Sequence, residues 1–194
     1  MHNEKIVAKG RIFELVQALQ PDGRIFEVAR RAPGVRLIIA DKDAQKVLLT
    51  RERRRELNTY DFRLPGGKVF DTLDQYEAHR KSGGDIVLAA KVQAITEARE
   101  EAGIDISDLK LIQKSVLGTT VEWDLYIFEA ITWQKHEDGQ SLKENEVQDI
   151  ASADSYDYQT VKDMILGGKM KEERVALILL QWINRQEQEA KHEV

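Results

Sequence analysis

Residues 11–31, RIFELVQALQPDGRIFEVARR, set two apolar-rich runs on either side of Pro21-Asp22-Gly23. Short apolar runs bounded by turn residues read as strands. Proline presets a turn and glycine supplies a positive φ, so the stretch predicts a β-hairpin. A second hairpin pattern follows, with apolar residues 35–40, the polar link DKDAQ and apolar residues 46–50. After the charge cluster RERRRE at 51–56 comes FRLPGGKV, where Pro65-Gly66-Gly67 marks a tight loop. The pattern lapses over 70–85, which predicts an inserted loop with a short helix at 73–80. From 85 to 102 the period becomes helical, with Leu88, Val92, Ile95 and Ala102 on one stripe. Asp85 is placed to cap the start of this helix and Gly103 to end it. Strands are predicted at 109–117 and 125–131, a polar loop at 136–146, and helices at 158–166 and 172–188. The last helix offers Val175, Leu177, Ile178, Leu179, Trp182 and Ile183 to a core. Strands, a helix, strands again and helices last predict an α+β chain or a three-layer α/β/α arrangement.

Composition narrows the class. The chain has 194 residues, 42% of them hydrophobic, which is enough for one substantial domain with a real core. The net charge of −5 gives no nucleic-acid footprint, since duplex binders carry a basic surplus. There is no cysteine, which excludes disulfides and thiolate zinc sites and fits a reducing compartment. MHNEKIVAKG lacks the apolar region of a signal peptide, and no apolar run approaches the ~20 residues that span a bilayer. The expectation is a soluble, cytoplasmic protein with no nucleic-acid or membrane partner.

The stretch TEAREEAGI, Thr96 to Ile104, carries the candidate chemistry. Glu97, Glu100 and Glu101 are neighbours at helical spacing, on the side opposite Leu88, Val92 and Ile95. One reading is the solvated face of an amphipathic helix. Against it, no Lys or Arg stands three or four places from any of the three, and like charges at that spacing repel by about 0.2–0.5 kcal/mol per pair. The helix also ends here, where its dipole disfavours carboxylates. Three carboxylates without His or Cys make a hard oxygen site, suited to Mg²⁺ or Mn²⁺.

Two further stretches fit such a site. Gly66 and Gly67 let backbone approach a ligand or ion, so that a loop carbonyl could join an oxygen shell, although a plain turn has the same composition. Arg51, Arg53, Arg54 and Arg55 form the densest positive cluster, readable as a protected strand edge or as a phosphate clamp. Metal, arginines and a glycine loop together equip a chain for attack of water on phosphorus.

Gly67 followed after a gap by Glu97-Ala98-Arg99-Glu100-Glu101-Ala102-Gly103-Ile104 resembles the Nudix box. LLTRERR with FRLPGGKV, and LKENEV with LGGKM and ALILLQWI, are similar to the ADP-ribose and nucleotide-sugar pyrophosphatase branch of that family. The resemblance implies a Nudix-type α/β/α sandwich with a mixed sheet, an N-terminal strand hairpin and C-terminal helices. It implies a strand region at 1–35 that serves a homodimer, and a hydrolase domain at 36–194 with an insertion at 70–85. Carried over, Glu97, Glu100, Glu101 and the Gly66 carbonyl are the metal ligands for Mg²⁺ or Mn²⁺. Glu100, Glu101 and either Glu144 or Glu146 of the polar loop are the candidates for handling water. Arg51 and Arg54 are the phosphate contacts, and Gly118 and Glu122 lie in the stretch that meets substrate. The implied reaction is hydrolysis of the pyrophosphate bond of a nucleoside diphosphate sugar or ADP-ribose-like small molecule.

The chain departs from the motif in four places. Thr96 stands where the box has arginine, removing the usual ion-pair support of Glu97. The first box glutamate is absent: counting from Gly67 reaches Leu73, and counting back from Thr96 reaches Leu88. The gap between the two halves is 15 residues longer than in the motif. Ser115-Val116-Leu117-Gly118 has Leu117 where the ADP-ribose branch has proline. The alternative to a hydrolase is therefore a non-catalytic nucleotide-sugar sensor or interaction module on the same fold.

Overall fold

A computed structural model of the protein describes residues 3–144 and 147–192. It is an α+β structure. Three strands open the chain: β1 (Asn3–Lys9), β2 (Phe13–Leu19) and β3 (Ile25–Arg31). β2 and β3 pair antiparallel without a register break, from Phe13 opposite Arg31 to Leu19 opposite Ile25. The turn between them places Gly23 at φ 84°. Next come β4 (Gly34–Ile38), β5 (Ala40–Asp41), β6 (Lys46–Arg54) and β7 (Thr59–Arg63). The inserted stretch forms α1 (Leu73–Lys81), closed at its start by a capping box between Thr72 and Gln75. Lys9 of β1 pairs with Asp74 and Glu77 of this helix.

α2 (Ile86–Glu97) starts where Asp85 accepts hydrogen bonds from the Val87 and Leu88 N–H groups. It runs into a π-helical turn, Ala98–Ala102, that Gly103 ends in the left-handed region. β8 (Ile104–Ser115), β9 (Val121–Glu122), β10 (Leu125–Lys135), β11 (Ile150–Asp157), α3 (Tyr158–Leu166) and α4 (Glu173–His192) complete the order. No helix among the described residues is long and apolar enough to cross a membrane.

The strands make three sheets, ordered β1-β2-β3-β9, β4-β10-β8 and β11-β6-β5, with β7 on β6. β4 is parallel to β10, and β8 is antiparallel to it. Period-two alternation sends each strand's residues to two different cores. Val35, Leu37 and Ile39 join Tyr126, Phe128 and the alanines of α2. Ile38, Ala40, Leu125 and Ile127 join α3 and α4, including Val175, Leu179, Trp182 and Ile183. Helices therefore cover both faces of the strands.

The buried side of α2 is not the predicted one. Leu88 and Val92 are each 59% exposed, while Ala90, Ala94 and Ala98 are fully buried. Glu97 and Glu101 share the buried side. Small side chains let the helix lie close on β4 and β10; Leu88 and Val92 are turned outward, while Ile86 and Ile95 pack partly buried against the core. Ala94→Leu should therefore cost about 1–3 kcal/mol through overpacking. Leu88→Gln should change stability by less than about 0.5 kcal/mol. Urea unfolding of the two variants checks this, and a larger loss for Leu88→Gln would reverse the assignment.

Candidate active site

Pro65-Gly66-Gly67 runs beside β4 as an irregular partner. The Val35 N–H donates to the Gly67 carbonyl and the Leu37 N–H to the Pro65 carbonyl, both at 2.9 Å. Gly66 has φ 148°, and a Cβ on it would collide with the Val35 carbonyl and the Arg36 Cα. A Cβ on Gly67 would strike the Glu97 carboxyl. Both glycines are thus required by close approach, one to a strand and one to a helix.

Carboxylates converge on one side of this loop. Glu101 is 7% exposed and accepts a 2.7 Å hydrogen bond from the Gly66 N–H. Burial raises its pKa to about 8, with repulsion from Glu52 and Glu97 adding to the rise. Glu97 accepts from the Gln93 side chain at 2.8 Å, a neutral donor one turn earlier on the helix. Glu52 comes from β6, where it follows Leu48 and Thr50 on one face of the strand. Glu100 turns away from this group to Lys143 at 2.7 Å. The loop around it is strapped to the π-helical turn: Arg99 donates to the Gly139 carbonyl, Gln140 to the Glu101 carbonyl, and the Ser141 N–H to the Glu100 carbonyl.

Guanidinium groups converge on the other side. Arg36 donates to the Gly66 carbonyl at 2.7 Å and to Glu172 at 3.0–3.1 Å. Arg63 also donates to Glu172, just before α4. Burial alone would raise the Glu172 pKa, but the two arginines hold it below the usual carboxylate range. Burial likewise opposes the Arg36 charge, and Glu172, Glu52 and Glu101 outweigh it. The single residue Gly66 thus offers its N–H to a carboxylate and its carbonyl to an arginine.

This architecture has a counterpart among solved structures. A crystal structure of an ADP compounds hydrolase matches with a TM-score of 0.66 over 99% of this chain and 95% of that chain, at 20% identity. The fold is Nudix-like. No family model matches the chain, and no curated protein sequence matches it.

The Nudix-like fold brings some expected residues together and leaves others apart. Glu97, Glu101 and Gly66 meet. Arg51 stacks on Tyr60 with its guanidinium 4.1 Å from the ring centroid. Arg54 is held by Glu56 at 2.6 Å and faces Glu52 at 3.6 Å. Gly118 has φ 140° with open space about it. Glu122 binds Arg30, which also reaches Glu4 and Glu14 and ties β9 to the N-terminal sheet. Glu144 is exposed on the loop after Lys143, and Glu146 lies outside the described residues. Asp85 caps the start of α2, at the opposite end from Glu97.

Sequence reading missed Glu52, Arg36, Arg63 and Glu172. Arg36 had a usable signal, an arginine inside the apolar strand Val35-Arg36-Leu37-Ile38-Ile39. Glu172 had none, because its partners are more than a hundred residues away.

The donor chemistry of Glu97, Glu101 and Glu52 fits a hard divalent cation: oxygen ligands whose mutual repulsion is relieved by positive charge. Among the described residues no three His, Asp or Glu side chains are gathered closely enough to hold a metal ion as they stand. One consequence is measurable without metal. The Glu101 carboxyl has a reference pKa of 4.5 and a folded value of about 8. Between these values the folded chain holds the extra proton, so stability falls as pH rises through the window. Glu101→Gln removes this slope. In EDTA its melting temperature should exceed that of the native chain above pH 8, and the gap should close below pH 4.5. Thermal melts by circular dichroism across this range check the prediction, and parallel curves would refute it.

Proposed function

We propose that the protein hydrolyses the pyrophosphate bond of a nucleoside diphosphate sugar or ADP-ribose-like compound with the help of Mg²⁺ or Mn²⁺. The observation that carries this reading is the Glu101–Gly66–Arg36 arrangement, acid on one side and base-rich on the other, in the fold of an ADP compounds hydrolase. Glu97, Glu101 and the Gly66 main chain would hold the ion, with Glu100 joining on release from Lys143. A bound ion supplies charge neutralisation at the phosphate oxygens and acidifies water. Water attacks one phosphorus, a new P–O bond forms, and the bridging P–O bond breaks. The products are a nucleoside monophosphate and a sugar phosphate. A glutamate takes the proton of the attacking water, with Glu100, Glu101, Glu144 and Glu146 as the candidates. Of the two arginines expected at phosphate, Arg54 shares the Glu52 face of β6 and is the one in reach of the site, while Arg51 stacks on Tyr60 on the other face.

The same reading places the protein in the cytoplasm as a homodimer built through β1, β2 and β3. That sheet exposes Ile6, Val7, Phe13, Leu19, Ile25 and Phe26.

A second reading is a sensor that binds a nucleotide sugar without turnover. Lys143 on Glu100 and Arg36 on the Gly66 carbonyl favour it, because each engages an oxygen that a metal would need.

A panel of nucleotide sugars and ADP-ribose with Mg²⁺, read by phosphate release after phosphatase treatment, separates the two. Turnover should appear, and Glu97→Gln and Glu101→Gln should each lower kcat/KM by at least about 100-fold. Binding by calorimetry with no product at any metal concentration would select the sensor.

A further inference from the structure

The positive charge nearest Gly66 does not come from the RERRRE stretch. It comes from Arg31, Arg36, Arg63 and Arg174, which four different segments deliver to one region. Trp123 lies at its centre. The Arg31 guanidinium is 4.4 Å from the Trp123 ring centroid and that of Arg174 is 4.3 Å from it. Arg174 also donates to the Trp123 carbonyl at 3.2 Å. Stacking uses the flat face of a guanidinium and leaves the N–H groups at its edge for other partners.

Those edges are unused. Arg31 Nε, Arg63 Nε, Arg174 Nη2 and Trp123 Nε1 are buried donors with no hydrogen-bond partner among the described residues. Arg63 already faces carboxylates, Glu52 at 3.9 Å from its Nε and Asp61 at 3.8 Å from its Nη1. Buried donors are nearly always paired, so those of Arg31, Arg174 and Trp123 mark a missing acceptor. Burial depresses the pKa of Arg31, and the charge of Arg36 depresses it further. Burial depresses Arg174 too, with Glu172 opposing and Arg36 and Arg31 adding to the effect. An anion would reverse each of these penalties.

We propose that Arg31, Trp123 and Arg174 form a phosphate subsite beside Arg36, the arginine that donates to the Gly66 carbonyl. The ligand is a phosphate oxyanion, either free or carried by a nucleotide diphosphate. Two planar forks and an indole N–H surround a tetrahedral group from several directions, which a single carboxylate would not fill. As a subsite for substrate it rests on the hydrolase reading. A diphosphate beside Gly66 would then have one phosphate at the ion that Glu97 and Glu101 would hold and the other at the arginines.

Calorimetric titration of inorganic pyrophosphate and of ADP-ribose into the full chain, in EDTA, tests the subsite apart from turnover. Arg31→Gln and Arg174→Gln should each weaken pyrophosphate binding by about tenfold or more. Trp123→Phe keeps the ring and removes one donor, and should weaken it severalfold. Arg174→Lys keeps the charge without the fork and should fall between the native chain and Arg174→Gln, which guards against a variant that fails to fold. Arg185→Gln, an exposed change on α4, is the charge control and should leave affinity unchanged. Parallel losses for pyrophosphate and ADP-ribose identify the phosphate as the shared determinant. A native chain that binds no pyrophosphate at millimolar concentration overturns the subsite, as do Arg31→Gln and Arg174→Gln variants within twofold of it. Turnover in the substrate panel with unaltered pyrophosphate affinity would sink the subsite and spare the hydrolase reading. Lost affinity in the variants with no turnover by the native chain would do the reverse.

Discussion

The close approach of α2 to the Pro65-Gly66-Gly67 loop is the constraint on which the site depends. Three alanines, Ala90, Ala94 and Ala98, make up the buried side of the helix and lie on β4 and β10. With larger residues there the helix axis would stand further from the sheet, and the Glu97 carboxyl would not touch Gly67. The loop contributes its part by having no Cβ at either glycine. The alanines thus bring the helix down onto the sheet, and at its end Glu97 and Glu101 meet the loop and are carried into a buried position by that approach.

That contact also explains why buried acids are tolerated. Glu101 loses water but gains the Gly66 N–H, and its raised pKa keeps it largely protonated near neutrality in the absence of a cation. Glu172 loses water as well, yet two guanidiniums hold it ionised. Loss of water has opposite outcomes at the two because one carboxyl faces other carboxyls and the other faces arginines. Gly66 lies at the boundary between the two environments, and its peptide groups are oriented to match each of them.

Much of the framework was legible from local pattern. The Pro21–Gly23 hairpin, the Asp85 cap, the Gly103 stop and the two C-terminal helices each depend on neighbours within a few residues, and each is present. β11 was not foreseen. Its sequence, IASADSYD, has no apolar alternation; main-chain pairing to β6 holds it, with Ile150 buried and Ala153 and Tyr156 partly so. β1 and β7 also went unread. The helical wheel gave the correct helix with the wrong inner face, since it weighted Leu88 and Val92 by size where close packing selected alanine. Beyond Ala98 the wheel itself no longer applies, because a π-helical turn changes the angular step between residues.

The sequence by itself determined the α+β class, the element order over most of the chain, and an acidic group at the end of the central helix beyond a glycine loop. These follow from periodicity, caps and turns, which act over short distances along the chain. Only the tertiary structure decided which charges face one another. Glu52 joins Glu101 from another strand, Arg36 and Arg63 join Glu172 from more than a hundred residues away, and Arg31, Trp123 and Arg174 meet from three segments. Coulomb and hydrogen-bond interactions depend on distance in space, and pairing across sheets sets that distance with no trace in local spacing.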